Sequence, residues 1–277
     1  MMMPDILEEL SQKAQSNMQD QGDYIENGLL HCGKCHTTKQ CVVQLFGQNK
    51  IVYCLCKCEK EKRDKELAEY LRDEELRHIE QLKISGIQDR NIYNFTFENA
   101  EENSYINKAR KYCENWEEIY KNNNGLLLWG DVGTGKTFMA GCIANELIKN
   151  KVPVMMTSLV KIINNLQGFV IADKNEYLDS LNRFNLLILD DLGAERQSDF
   201  ALEQVFNVID SRYKSGKPVI ITTNLNLHEL KNPSDIKYKR IYDRILEMCV
   251  PLQFKGESKR KEKSQAKLNV LKELFKD

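Results

Sequence analysis

No stretch of this sequence is apolar for long enough to cross a membrane as a helix, and its mean hydropathy is negative. The opening residues, Met1-Met2-Met3-Pro4-Asp5, lack the basic segment and apolar run of a secretory signal. Neither sign of charge is in excess, with 40 Lys and Arg against 41 Asp and Glu. That balance argues against a protein that coats DNA by charge alone, while leaving room for a local basic groove. Internal repeats and low-complexity tracts are missing too, so neither a solenoid nor a compositional linker is expected.

What is present is enough for a core. The 277 residues are 42% hydrophobic and 29% charged. At about 150 residues per domain this length suggests two domains, and the apolar content excludes wholesale disorder.

Nine cysteines are many for such a chain, and six of them (Cys32, Cys35, Cys41, Cys54, Cys56, Cys58) are clustered. Without an export signal the expected compartment is the reducing cytoplasm, where clustered thiols read as metal ligands rather than disulfides. Cys32-Gly33-Lys34-Cys35 can supply half of a tetrahedral Zn2+ site. The other half must come from Cys54-Leu55-Cys56-Lys57-Cys58, with His31, His36 and Cys41 as further candidates. Cys113, Cys142 and Cys249 stand alone in apolar or helical stretches and are expected to act as small core residues.

Residues 5–17 read as a short amphipathic helix and residues 57–83 as a charged, solvated one. Ile84-Ser85-Gly86-Ile87 breaks that pattern and suggests a boundary, with an N-terminal domain over 1–85 and a second over 86–277. From about residue 100, helical patterns alternate with short apolar strands. Helices are expected at Ala109–Tyr120, Thr137–Lys149, Leu159–Leu166, Asp199–Ser215 and from Lys259 to the end. Strands are expected at Leu126–Trp129, Val152–Met156, Leu186–Leu189 and Val219–Thr223. Such alternation predicts an α/β fold, a parallel sheet covered by helices on both faces.

The segment Gly130-Asp131-Val132-Gly133-Thr134-Gly135-Lys136-Thr137 fits the phosphate-loop pattern without departure, with a strand before it and a helix after it. Its glycines let backbone N–H groups turn toward phosphate oxygens, and the helix N-terminus adds positive potential. Lys136 is expected to reach the outer phosphates of ATP and the Thr137 hydroxyl to ligate Mg2+. Leu186–Leu189 then delivers Asp190 and Asp191 to the carboxyl edge of the sheet. Asp190 is assigned to the Mg2+ shell and Asp191 to the attacking water, although two aspartates before Leu192-Gly193 could also cap a helix. Asn224 ends the last strand, where an amide can touch the γ-phosphate or the water.

Taken together, residues 87–260 resemble the bacterial and phage DnaC/DnaI-type helicase loaders of the AAA+ class. The likeness rests on Phe95–Asn99, Gly125–Gly130, Leu189–Glu195, Thr222–Asn224, Arg240–Arg244 and Gly256–Arg260. It implies an AAA+ ATPase with Asn224 as sensor 1, Arg244 as an arginine finger acting in trans, and Arg260 as sensor 2. Arg240, one turn away, is the alternative finger, and either arginine could be a surface ion-pair residue. Many AAA+ ATPases carry Glu where this chain has Asp191, and the shorter arm predicts slower hydrolysis, a switch rather than a motor. Phage relatives of this class often carry a C-x-x-C followed by a C-x-C that opens a charged helix. That likeness selects Cys56 and Cys58 as the second pair of zinc ligands, with Cys54 next in line.

The resemblance further implies a hexameric replicative helicase and single-stranded DNA as partners, and self-association through the AAA+ domain. For DNA the sequence offers Lys161, Asn164, Asn165 and Lys174, which equally fit a solvated helix face. Two rival functions share the core: an ATPase helper of transposition, and a zinc-containing adaptor with ATP as a structural ligand. The cysteine cluster counts against the first, and the full set of Asp190, Asp191, Asn224 and Arg244 against the second.

Overall fold

The structure, a computed structural model, describes residues 20, 22–45, 47–168, 170–196 and 198–275. The helix expected over 5–17 lies outside the described residues. The chain forms two compact units, Met1–Leu76 and Arg77–Asp277, and the division falls within one long helix. The split into 1–85 and 86–277 read from the sequence instead uses the end of that helix.

In the first unit, β1 (Tyr24–Glu26) and β2 (Leu29–His31) form an antiparallel hairpin. Asn27 and Gly28 join them, both with positive φ (54° and 76°), which suits a tight two-residue turn. A second hairpin pairs β3 (Gln40–Leu45) with β4 (Gln48–Tyr53). Helix α1 (Lys57–Gly86) follows. Leu67, Tyr70, Leu71 and Leu76 on it are exposed, whereas Ile79 and Leu82 pack on the core of the second unit. The helix ends where Gly86 passes the Val154 carbonyl so closely that a Cβ would collide with it.

The second unit opens with a 3-10 turn at Arg90–Asn94, then α2 (Ser104–Glu114) and α3 (Trp116–Lys121). The single helix expected over 109–120 is therefore two, because Asn115 leaves helical geometry and serves as cap to both. Next come β5 (Gly125–Gly130), α4 (Lys136–Lys149), β6 (Val154–Ser158), α5 (Leu159–Leu166) and α6 (Ile171–Asn182). Then follow β7 (Leu186–Leu192), α7 (Asp199–Ser215), β8 (Val219–Thr223), α8 (Leu227–Lys231), α9 (Ile236–Met248), β9 (Cys249–Phe254) and α10 (Lys259–Leu274).

The five strands form one parallel sheet in the order β6-β7-β8-β5-β9. Alternate residues feed two cores, as strand geometry requires. Leu127, Leu187, Leu189, Val219 and Ile221 face α5, α6, α7 and α9. Leu128, Leu186, Ile188 and Ile220 face α2 and α4. Burial on both faces is why these strands read as unbroken apolar runs. Cys113, Cys142 and Cys249 are buried within this unit. Strand β9 was not expected from the sequence; its solvent-side residues Val250, Pro251 and Gln253 hide the pattern. Among the described residues no helix is long and apolar enough to cross a membrane.

Candidate functional site

The carboxyl ends of β5, β7 and β8 meet at the glycine-rich loop. Gly130, Gly133 and Gly135 take φ of 135°, 84° and 102°, a region side chains rarely enter. The loop feeds α4, whose first turn has no side-chain cap, so its N–H groups are available to an anion. Thr134 braces the turn by donating to the Asp131 carbonyl at 2.8 Å, while Asp131 and Val132 lie at the surface.

Lys136 is buried, and its Nζ donates to the carbonyls of Gly130 and Asp131, both at 2.7 Å, and to Asn224 Oδ1 at 2.9 Å. Burial lowers its pKa, opposed by the carboxylates of Asp191, Asp131 and Asp190. Thr137 Oγ1 donates to Asp190 Oδ1 at 2.9 Å, so the two expected Mg2+ groups are in contact. Burial raises the Asp190 carboxyl, with the Thr222 hydroxyl pulling it back. A hard divalent cation wants such a hydroxyl and carboxylate pair, together with phosphate oxygens. The residues present fit Mg2+ and a nucleotide triphosphate.

Asp191 has φ of 57°, in the left-handed region. Arg260 is exposed at the start of α10, close enough for its charge to act on Lys136 and Asp190. The adjoining Lys259 donates its backbone N–H to the Gly133 carbonyl at 3.1 Å. Arg244 makes its contacts elsewhere. Its guanidinium pairs with Asp210 at 2.7 Å and lies over the rings of Phe206 and Tyr213. Arg240 lines a groove between α7 and α9 with Asp199, Glu203 and Phe206. Of the DNA candidates, Lys161, Asn164 and Asn165 are exposed on α5, and Lys174 lies over the Phe200 ring.

In the first unit Cys32, Cys35, Cys56 and Cys58 bring their sulfurs within 4.8 Å of one another, with Cys32–Cys58 at 3.6 Å and Cys56–Cys58 at 3.3 Å. A tetrahedral Zn2+ with bonds of about 2.3 Å would space its sulfurs about 3.8 Å apart, so the donor set fits zinc. Backbone N–H groups of Cys35 and Lys34 favour the Cys32 thiolate. The Thr37 hydroxyl, 3.1 Å away, helps hold Cys35 down to about 5. Crowding by the three other thiols pushes Cys58 up to about 12. A bound cation would relieve that crowding.

The other candidates point away from this set. Cys54 is aimed at the Thr38 carbonyl, His31 stacks on Tyr24 and bonds the Leu29 carbonyl, and His36 bonds the Tyr24 hydroxyl. Cys41 is outside the four-thiol group as well.

Three supporting residues had escaped the sequence reading. Asp23 accepts the Gly33 N–H at 3.0 Å and pairs with buried Lys39 at 2.8 Å, fixing the first knuckle. Thr37 accepts the Lys57 N–H at 2.9 Å, tying the knuckle to the second cysteine pair. No residue pattern marks them; only the Asn27-Gly28 turn, which places Asp23 beside the knuckle, had a legible signal.

The family described as IstB-like ATP binding protein matches residues 34–267. The chain belongs to this family. It is 29% identical over 163 residues to a Bacillus subtilis protein named replicative helicase loader DnaI, covering 54% of this chain and 51% of that one. It is 25% identical over 161 residues to the Escherichia coli replicative helicase loader DnaC, covering 57% and 63%. The chain thus spans about half to under two thirds of the length of these relatives. A crystal structure of DnaI aligns with a TM-score of 0.51 at 26% identity, covering 62% of this chain and 94% of that one. The second unit of this IstB/DnaC-type protein has the AAA+ P-loop fold.

Proposed function

We propose that this protein is an ATP-dependent loader of a hexameric replicative helicase onto single-stranded DNA. The nucleotide site carries the reading: Lys136 and Thr137 on the loop meet Asp190 and Asn224 from two neighbouring strands. The names of its relatives give the direction of the function. ATP would lie on the loop amides and Lys136, with Mg2+ held by Thr137 and Asp190. Asp191 and Asn224 would orient the water, and Arg260 would meet the γ-phosphate from the same subunit. Arg244 would reach the site of a neighbouring subunit, completing it only on assembly. Residues 1–85, held by zinc, would dock on the helicase, and the AAA+ domain would engage single-stranded DNA through α5. ATP binding would set the loading state and hydrolysis would release it. The expected compartment is the cytoplasm.

The test is co-purification of the full chain with candidate hexameric replicative helicases, with and without ATP, beside a Cys32→Ser, Cys35→Ser variant. ATP-gated capture by the native protein, lost in the variant, supports loading. The family description favours one alternative, an ATPase helper of DNA transposition. Capture of a transposase in place of the helicase would select it.

A further inference from the structure

At its carboxyl end β7 stops pairing regularly with β8. The register shifts between Leu189 and Leu192, and the left-handed Asp191 sits inside that shift. Two side-chain hydroxyls stand in for the missing ladder bonds. Thr222 is fully buried, and its Oγ1 both donates to Asp190 Oδ1 at 2.6 Å and accepts the Asp191 N–H at 2.9 Å. Thr223, equally buried, donates to the Leu192 carbonyl at 2.8 Å and accepts the Leu225 N–H at 3.1 Å. A buried hydroxyl is costly unless bonded, and valine would fill the same space in a strand.

We infer that Thr222 is a positioning residue for both aspartates at the end of β7, its one hydroxyl setting the direction of the Asp190 carboxylate and the backbone of Asp191. The role rests on the nucleotide reading above. Asp190 Oδ1 receives two hydroxyls, from Thr222 and Thr137, so the carboxylate is pinned through one oxygen. A carboxylate held this way needs no reorganisation to meet a cation. The bond to the Asp191 N–H holds the bulge open. If that backbone relaxed to the extended conformation of an ordinary strand, successive side chains would alternate faces and the Asp191 carboxylate would swing away. Asn224 follows two residues later, so one short segment sets both the sensor amide and the acid pair.

The test compares the full chain with Thr222→Val and Thr222→Ser. Calorimetry measures affinity for a non-hydrolysable ATP analogue in Mg2+ and in EDTA, and thermal melting without nucleotide checks the fold. Thr222→Val should bind in EDTA like the native protein but lose roughly 10–100-fold of the gain that Mg2+ provides. Thr222→Ser should keep that gain. The inference is overturned if Thr222→Val keeps the whole Mg2+ gain, or if serine falls as far as valine. Hydrogen exchange on the native protein gives an answer that needs no variant: the Asp191 amide should be protected, and rapid exchange there overturns the role. No Mg2+-dependent binding by the native protein would instead sink the nucleotide reading, and this role with it.

Discussion

Lys136 and Asn224, 88 residues apart in sequence, share a 2.9 Å hydrogen bond at the mouth of the glycine-rich loop. The bond joins the strand that carries the loop to the strand next to it. It also leaves the lysine bonded wholly within the protein, through two loop carbonyls and one amide. A phosphate must draw the ammonium group away from these partners.

Lys136→Ala should nonetheless leave the fold intact, since it removes the side-chain tie to Asn224 but none of the backbone ladder that pairs β5 with β8. Charge-assisted bonds are worth about 1.5–3 kcal/mol, so Mg-ATP affinity should drop roughly tenfold to a hundredfold. Calorimetric titration measures this, and undiminished affinity would refute the nucleotide assignment.

Purified protein should carry about one zinc per chain by elemental analysis. Cys54→Ser should keep it, because that thiol faces the Thr38 carbonyl. Cys32→Ser and the Cys56→Ser, Cys58→Ser pair should lose it and destabilise the first unit. Full zinc in the double variant would show that other ligands hold the metal.

Arg244 is held by its surroundings. Asp210 and the two aromatic rings hold its guanidinium in one orientation. If it serves a neighbouring subunit, Arg244→Ala should bind ATP normally and hydrolyse it about 10³–10⁵ times more slowly. Mixing it with Lys136→Ala should restore part of the activity, since each supplies what the other lacks. A mixture that co-assembles yet stays inactive would point to Arg240 or to a role within one subunit.

Arg212 is fully buried and, among the described residues, has no carboxylate partner; its guanidinium donates instead to the carbonyls of Phe184, Asn185 and Pro218 at 2.7–3.0 Å. Burial lowers its pKa to about 10, so it stays charged at neutral pH. Arg212→Leu would remove this shared donor from the carbonyls of Phe184, Asn185 and Pro218, leaving Pro218 only a long bond from the Leu187 N–H, and should cost about 2–4 kcal/mol. Urea unfolding reads that loss, and an unchanged midpoint would show the bonds to be dispensable.

The sequence alone determined the nucleotide loop, the run that delivers Asp190 and Asp191, and the alternation that makes a parallel sheet. These are local: a glycine-rich turn, a buried apolar run and a helical period are each written within about ten residues. Spacing left the second pair of zinc ligands open, since Cys54, Cys56 and Cys58 lie within five residues of one another, and the likeness to phage relatives put Cys56 and Cys58 first. The tertiary structure brings those two to the first knuckle and turns Cys54 toward the Thr38 carbonyl. It also decided the places of Asp23, Thr37 and Thr222. Each works through side-chain hydrogen bonds to partners remote from it in the chain, a relationship that leaves no periodicity and no spacing to read. Strand β9 stayed hidden for a related reason. It lies at the edge of the sheet, paired only with β5, so its exposed residues dilute the apolar run that burial on both faces writes into the central strands.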